Sequence, residues 1–438
     1  MIKVLQFGEG NFLRAFAENY INTANKLGVL DAEVTICQPI KFNRVINLLR
    51  EQDCKYNVYK RGRLNGEIVD ETVYIECVKG VIDTFEEYDK LEAAFIDADI
   101  VISNTTEAGI AYVDTDKMDD SPRVAFPGKV TALLYKRFKA GKKPLLFLPV
   151  ELIENNADEL KKCVLKYAQL WNLGEDFITY INSCSFCNTL VDRIVSGHID
   201  GDSDKCSVNC EPYWSWIIQA DDYCKEIFDI RSLEGIVFAD DILPYRTRKV
   251  RILNGAHTMS VLAAYLCGFE IVRDMMNDEL FNKYILTGLE EVKTTLTLNK
   301  SELDAYANSV LDRFNNPFID HRLLDIALNS VSKFSARCLD SMNEYAEITG
   351  NAPNILCFGL AALTEFYMTS GKANDSEDVI KMFADMKDMD SETVINNVIK
   401  YYNITDDAIA DKVRYHYCNI QNIGIRKAVE EAVYGKAD

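Results

Sequence analysis

Short apolar runs alternate with segments of helical periodicity along the N-terminal half, and this alternation constrains the fold of the chain most strongly. Such a pattern is typical of βαβ units built around a parallel sheet. The predicted strands are Ile2 to Phe7, Val34 to Cys37, Ala98 to Ser103 and Leu145 to Pro149, and the predicted helices are Leu13 to Lys26, Phe85 to Phe95, Val130 to Lys139 and Ala157 to Trp171. Val58 to Val81 alternates polar and apolar residues around Asn65-Gly66, which predicts a hairpin.

The C-terminal half has a different character, because helical periodicity dominates it. The predicted helices are Val250 to Leu266, Ser301 to Phe314, His321 to Leu339, Ile355 to Thr369 and Val394 to Tyr402, with Ser301 and Asp304 forming a capping box. A chain of 438 residues is long enough for two domains. We expect an α/β Rossmann-like dinucleotide-binding domain over residues 1–240, then an all-α, mostly helical substrate and catalytic domain over residues 241–438, with a cleft between them.

The composition excludes several classes of partner. A formal net charge of -20 argues against nucleic acids and anionic membranes, which need a basic surface. No apolar run reaches the roughly 18 residues of a membrane span, and the first residues do not resemble a signal peptide. We therefore expect a cytoplasmic protein. The sequence does not indicate an oligomeric state.

Cysteine and histidine usage predicts no metal site. The chain has 13 cysteines, an odd and scattered set, and only 4 histidines, far apart in the sequence. Cys184 and Cys187 form a C-x-x-C, and Cys206 and Cys210 lie not far beyond, but a zinc site needs two well-formed pairs or nearby histidines. We expect the thiols to be reduced and mostly buried.

One segment stands out against the acidic background. Arg246, Arg248, Lys249 and Arg251 lie within six residues that contain no acidic residue. In so acidic a chain this cationic run predicts the place where a small anionic substrate binds, with Arg246 as a candidate contact.

A glycine turn follows the first predicted strand. Gly8-Glu9-Gly10 precedes a helix, as in dinucleotide-binding folds, where the glycines permit a tight turn and a close approach to pyrophosphate. Leu13 replaces the third glycine of that fingerprint, and Gln38 stands where an acidic residue would bind the ribose. This region therefore leaves NAD and NADP both open. The predicted cofactor contacts are Phe7, Gly8, Glu9, Gly10, Asn11, Phe12, Gln38, Asn104, Thr105 and Thr106.

A second constellation is Lys249, Asn254 and His257. At about 100° per residue these side chains fall within an arc of roughly 140° on an α-helix. A lysine whose pKa is lowered by burial and by Arg248 and Arg251 can exchange a proton with a ketone oxygen. An amide and an imidazole can stabilise the charge that develops on that oxygen. The alternative is an amphipathic helix that carries these residues without a catalytic role.

These motifs resemble those of the long-chain polyol dehydrogenases, the mannitol dehydrogenase family. The resemblance rests on Lys249-x₄-Asn254-x₂-His257, on Val191-Asp192-Arg193-Ile194, on the glycine turn and on Asn104-Thr105-Thr106-Glu107. It implies a metal-independent oxidoreductase with NAD(H) as cofactor, Lys249 as general acid/base, and Asn254 and His257 at the carbonyl. It also implies substrate contacts by Glu107 and Lys333.

Within that family the chain is most similar to a branch that interconverts the keto sugar acid tagaturonate and altronate. Many relatives carry an asparagine where this chain has Leu152, so we expect either Asn156 to complete the oxyanion site or Asn254 to act with less help. Fructuronate reduction and mannitol or mannitol-phosphate oxidation are the alternatives within the family. A catalytically silent nucleotide-binding regulator is the alternative outside the enzymes.

Overall fold

A computed structural model describes residues 1–38, 41, 45–105, 109–119 and 125–435. The chain divides into two compact units: Met1–Arg61 with Ile68–Ile242, and Gly62–Glu67 with Leu243–Asp438. Within the described ranges, no helix is long and apolar enough to cross a membrane.

The strands build the first unit around a parallel sheet. In chain order they are β1 (Ile2–Phe7), β2 (Ala32–Gln38), β3 (Tyr56–Leu64), β4 (Glu67–Ile75), β5 (Val78–Asp83), β6 (Ile100–Ser103), β7 (Leu146–Pro149), β8 (Ser185–Phe186), β9 (Thr189–Asp192), β10 (Val195–Gly197), β11 (Val208–Cys210), β12 (Ser215–Ile218) and β13 (Ile236–Phe238). The described strands form a six-stranded sheet of order β5-β2-β1-β6-β7-β8 and two smaller sheets, β10-β11-β3-β4 and β13-β12-β9. All five pairings in the large sheet are parallel.

The order of the large sheet is that of a Rossmann fold. Renumbered by their succession in the chain, its strands run 3-2-1-4-5-6, so the order reverses between β1 and β6. The fold class predicted from the sequence is confirmed. Both faces of the sheet are buried: Val4 of β1 belongs to one apolar cluster and Leu5 and Phe7 to another. Strands buried on both faces need helices on both sides.

The helices of the first unit supply those layers. They are α1 (Asn11–Ala15), α2 (Ala17–Lys26), α3 (Val45–Glu51), α4 (Tyr88–Asp97), α5 (Phe126–Lys139), α6 (Asn156–Leu170), α7 (Glu175–Ser183) and α8 (Asp222–Ile227). The predicted helix from Leu13 to Lys26 is divided at Phe16, whose φ of -113° and ψ of -85° are not helical. The predicted hairpin turn is confirmed, since Asn65 and Gly66 both have positive φ, 52° and 81°.

The second unit is helical. Its elements are α9 (Leu243–Arg248), the π-helical turn π1 (Lys249–Asn254), α10 (Gly255–Leu266), α11 (Val272–Asn277), α12 (Glu279–Thr294), α13 (Lys300–Phe314), α14 (Leu323–Ile326), α15 (Ser330–Phe334), the π-helical turn π2 (Ser335–Leu339), α16 (Asp340–Thr349), α17 (Asn354–Thr369), α18 (Glu377–Asp385), α19 (Ser391–Tyr401), α20 (Asp407–Ile423) and α21 (Ile425–Tyr434). Helix α17 is buried along most of its length and packs against α10, α12 and α20.

Three details of the predicted helices were wrong. The helix expected from Val250 begins with π1, and the helix expected from His321 to Leu339 is divided into α14, α15 and π2. Asn329, at a φ of 53°, interrupts that second helix in a left-handed conformation. Helix α13 is capped by the Asn299 side chain, which accepts from the Glu302 N–H at 2.9 Å, and not by Ser301. Hydrophobic periodicity does not report such local breaks.

Candidate functional site

The two glycines of the first turn are glycines for different reasons. Gly8 has a φ of 124°, which other residues rarely adopt, and a Cβ there would lie 3.0 Å from Leu13 Cδ1 and 3.1 Å from the Asn104 carbonyl oxygen. Gly10 has an ordinary extended backbone, with φ -65° and ψ 162°, and a Cβ there would meet no described atom within 4 Å. The fold thus requires glycine at Gly8 only. Gly10 fits a close approach of backbone to pyrophosphate.

The sheet brings the predicted cofactor residues of the first unit together. Phe7 of β1 lies beside Cys37 of β2 and Ser103 of β6. The residues that follow at the carboxyl edge are Gly8, Gln38 and Asn104. Open α/β sheets bind ligands at this edge, where the strand order reverses.

Gln38 is the last residue of β2, and its side-chain amide oxygen is buried. Its side chain is 2% exposed, and its Oε1 has no hydrogen-bond partner among the described residues. The backbone carbonyl accepts from Thr84 Oγ1 at 2.7 Å. A buried acceptor of this kind fits a ribose hydroxyl, which can donate to it.

Contacts within the first unit hold the remaining side chains of the turn. Arg14 donates from Nε to the Glu9 carbonyl at 3.1 Å and from Nη2 to Asn11 Oδ1 at 2.6 Å. Phe12 stacks on Phe16 with 4.9 Å between ring centroids. Burial raises the pKa of the Glu9 carboxyl. These contacts fix the shape of the turn that Gly8 and Gly10 make.

Glu151 positions the loop after β6, a role that the sequence reasoning missed. Its Oε1 accepts from both the N–H and the Oγ1 of Thr105, each at 3.0 Å, and its Oε2 accepts from Ser103 Oγ at 3.1 Å. The side chain is buried, and desolvation raises its pKa. Asn104 is tied to the next strand through Nδ2, which donates to the Val150 carbonyl at 3.0 Å. An acidic residue two positions after the end of a parallel strand was the available signal.

Asn156 is a structural residue in this arrangement. Its Nδ2 donates to the carbonyls of Pro149, Glu151 and Thr189, and its Oδ1 accepts from the N–H groups of Ala157 and Thr189. A side chain that is 1% exposed and fully bonded has no donor left for a substrate oxygen. This favours the second sequence hypothesis, in which Asn254 acts with less help. The predicted contacts Thr106 and Glu107 lie outside the described residues.

In the second unit, π1 carries two of the three predicted catalytic residues. Lys249 and Asn254 are its first and last residues, and His257 lies in the first turn of α10. An α-helix separates positions five apart by about 140°. A π-helical turn advances by a smaller angle per residue and so brings such positions closer to one face. The predicted convergence of the three side chains on one face is therefore tighter than an α-helix would make it.

The cationic run does not form a single cluster. Arg251 pairs with Glu344, with Nη2 2.7 Å from Oε1, and with Asp340 at 3.6 Å. Arg248 is buried, with its guanidinium 4.2 Å from the Tyr306 ring centroid. Two of the four cations are thus held by neighbours in the second unit. Arg246 lies half-buried in α9.

His257 is enclosed by rings and cations. Its ring stacks on Phe314 at 4.2 Å and meets His321 edge to face at 5.3 Å, and its Nε2 has no hydrogen-bond partner in the described part of the chain. Burial, then the charges of His321, Arg313, Arg337 and Lys333, hold the pKa of His257 well below its usual range. The imidazole is therefore neutral at pH 7 and can donate one hydrogen bond without carrying charge.

Lys333 of α15 and Arg337 of π2 lie near enough to this imidazole for their charges to act on it. Lys333 Nζ donates to the Ile326 carbonyl at 2.9 Å, and Arg337 Nη1 donates to Thr258 Oγ1 at 3.3 Å. Burial lowers the pKa of Lys333, and Arg337 lowers it further. The sequence reasoning identified Lys333 but missed Arg337, although their spacing of four residues was visible.

The sequence matches two domain families along most of its length. Residues 2–231 match the mannitol dehydrogenase Rossmann domain and residues 241–421 match the mannitol dehydrogenase C-terminal domain. A protein of Bacillus subtilis (strain 168) named altronate oxidoreductase is 37% identical over 98% of this chain and 95% of its own length.

Two solved structures share the fold. A substrate-free D-sorbitol dehydrogenase covers 98% of this chain and 95% of its own, with a TM-score of 0.82 at 20% identity. The mannitol 2-dehydrogenase of Pseudomonas fluorescens, in a ternary complex with NAD and D-mannitol, covers 98% and 94%, with a TM-score of 0.67 at 20% identity.

Proposed function

The chain belongs to the mannitol dehydrogenase family, and we propose that it reduces the ketone of a sugar acid, tagaturonate, to altronate with NADH, reversibly. As a member of this family it is an oxidoreductase that acts on CH–OH groups and uses a nicotinamide dinucleotide cofactor. The substrate, the choice of NADH and the catalytic residues are the parts that we propose.

The observation that carries the substrate proposal is the set of charged side chains around His257. A neutral imidazole with a buried, unpartnered Nε2 lies among Arg313, Lys333 and Arg337. Such an arrangement favours a small molecule that carries a negative charge as well as a carbonyl oxygen. The name of the Bacillus subtilis relative, altronate oxidoreductase, supports a sugar acid over a neutral polyol.

The first unit supports the cofactor proposal. Gly10 lies in the turn after β1, and Gln38 ends the adjacent strand β2. The open side of Gly10 fits a pyrophosphate, and the unpartnered Oε1 of Gln38 fits a ribose hydroxyl. An uncharged amide at Gln38 accepts a hydroxyl but offers no cation to a phosphate, which favours NADH over NADPH. When bound, the reduced nicotinamide supplies the hydride for the ketone carbon.

The second unit supplies the proton and stabilises the oxygen. The Lys249 ammonium donates a proton to the ketone oxygen as the hydride arrives, and the neutral lysine is then reprotonated from solvent. The Asn254 amide N–H and the neutral His257 N–H donate to the same oxygen as its charge develops. In the direction of oxidation, neutral Lys249 accepts the hydroxyl proton of altronate.

A substrate panel tests this function. NADH consumption by the purified protein is measured with tagaturonate, fructuronate, fructose and fructose phosphate. We expect tagaturonate to have the highest kcat/KM. A higher kcat/KM for fructuronate or fructose phosphate would instead indicate one of the other activities of the family. If no substrate is turned over, the alternative of a catalytically silent nucleotide-binding regulator would be favoured.

A further inference from the structure

Arg337 is locked against the helix turn that carries His257. Its Nη1 bonds to Thr258 Oγ1 at 3.3 Å, and its carbonyl oxygen lies 3.3 Å from the position that a Cβ on Gly255 would take. The thiol of the next residue, Cys338, contacts the Gly255 carbonyl at 3.8 Å. Turn π2 therefore packs closely on the start of α10, and this packing places the guanidinium at Thr258, the residue that follows His257.

Several other arginines of the second unit have acidic partners, while buried Arg248 lies against the rings of Tyr245 and Tyr306 instead. Arg251 pairs with Glu344 and Asp340, Arg273 with Asp320 at 2.5 Å, and Arg426 with Asp278 at 2.7 Å. Arg337 forms no ion pair with a carboxylate in the described part of the chain, and its guanidinium bonds there only to Thr258.

The lack of a carboxylate partner at Arg337 is informative because the chain is rich in acidic residues. It has 68 Asp and Glu against 48 Lys and Arg, so a partner for a half-buried guanidinium would be easy to supply. The Arg337 side chain is half-buried, and this burial lowers the pKa of its guanidinium. An uncompensated cation of this kind is costly unless an anion binds to it.

We propose that Arg337 binds the carboxylate of the sugar-acid substrate and thereby sets the preference for acids over neutral ketoses; this rests on the proposed function. Guanidinium and carboxylate form two parallel hydrogen bonds in a defined orientation. With the carboxylate held at Arg337, the chain of a hexose acid extends towards His257, where the ketone oxygen is bound.

Lys333 has a secondary role in this arrangement. Its ammonium already donates to the Ile326 carbonyl, and Asp375 is an acidic neighbour that favours its charged form. The sequence hypotheses placed the contact with the substrate carboxylate at Lys333 or at an arginine of the cationic run, with Arg246 as a candidate. The structure favours Arg337 as the principal carboxylate partner, with Lys333 adding positive potential from one helical turn away.

The test compares Arg337→Met, Arg337→Lys and the control Arg426→Met on an acid and a neutral ketose of matched skeleton. Steady-state kcat and KM are measured with tagaturonate and tagatose, after circular dichroism and thermal melting have shown that each variant is folded. Arg337→Met should lower the ratio of kcat/KM for tagaturonate to that for tagatose by about 10- to 100-fold, mainly through KM for the acid. Arg337→Lys should restore part of the ratio, and Arg426→Met should leave it unchanged.

Each result bears on a defined claim. A parallel loss on both substrates, or an unchanged ratio in Arg337→Met, overturns the role of Arg337. If Arg337→Met does not fold, Arg337→Lys decides alone, because loss of the bidentate geometry should still raise KM for tagaturonate selectively. Equal efficiency of the unmodified enzyme on both substrates refutes the sugar-acid function itself, whatever the variants do.

Discussion

Substitution of the two turn glycines separates a role in folding from a role in cofactor binding. Gly8→Ala forces a Cβ to within 3.0 Å of Leu13 and 3.1 Å of the Asn104 carbonyl, at a φ of 124°. For a residue other than glycine, such a backbone conformation costs about 1–3 kcal/mol. We therefore expect a clear drop in the melting temperature of Gly8→Ala. A Cβ at Gly10 meets no described atom within 4 Å, and the backbone conformation there is an ordinary one. The melting temperature of Gly10→Val without cofactor should therefore change little.

NADH affinity should respond in the opposite way. In Gly10→Val the branched side chain occupies the side of the turn that pyrophosphate approaches, and loss of one charge-assisted hydrogen bond is worth about 1.5–3 kcal/mol, or one to two decades of affinity. Titration of NADH fluorescence measures the dissociation constant, and melting with and without NADH gives a second readout. Unchanged NADH binding by a folded Gly10→Val protein would refute the placement of the pyrophosphate at this turn.

Three further predictions concern two single carboxylates and the lysine proposed as the general acid. Lys249→Met should lower kcat by about 10²–10⁴ with NADH affinity retained in fluorescence titration; near-normal turnover would exclude it as the acid. Glu151→Ala leaves the Thr105 N–H and two hydroxyls without their acceptor and should weaken NADH binding more than it changes kcat, whereas equal binding would remove its positioning role. Burial raises the pKa of Glu291 to about 7, so its contribution to stability is full below the unfolded value of about 4.3 and is lost as pH rises through about 7. Unmodified protein should therefore lose up to roughly 3 kcal/mol more than Glu291→Gln between pH 4 and pH 8, and identical pH slopes in chemical unfolding would contradict this.

The sequence predicts the parts of the fold that depend on hydrophobic pattern. Strand β1 has the predicted bounds, and β2, β6 and β7 lie within one or two residues of theirs. The reason is that a parallel strand buried on both faces is a continuous apolar run, which is visible without tertiary information. Glycine at position 8 was also predictable, since a sharp turn after such a strand requires positive φ.

Contacts between distant segments were not predictable in the same way. Asn156 was a reasonable donor until its amide proved to be bonded to three backbone carbonyls, two of them before it in the chain and one after. Arg248 and Arg251 belong to a cationic run in the sequence, yet their partners Tyr306 and Glu344 lie far along the chain. Arg337 could be distinguished from Arg251 and Arg426 only by the absence of an acidic partner within the described residues.

The two π-helical turns are the feature that neither periodicity nor motif predicts, and Gly255 shows how the site depends on them. An added Cβ at Gly255 would lie 3.3 Å from the Arg337 carbonyl and 3.7 Å from that of Val250, so Gly255→Ala must displace π2 by a few tenths of an ångström. Alanine gains about 1 kcal/mol of helix propensity over glycine, which offsets that displacement, and the melting temperature should stay near that of the unmodified protein. Activity should not be preserved, because the displaced backbone carries Arg337 away from His257, and kcat/KM for tagaturonate should fall several-fold with NADH binding unchanged. If Gly255→Ala is as stable and as active as the unmodified enzyme, the close packing of π2 on α10 does not position the substrate. Catalysis would then not require glycine at this position.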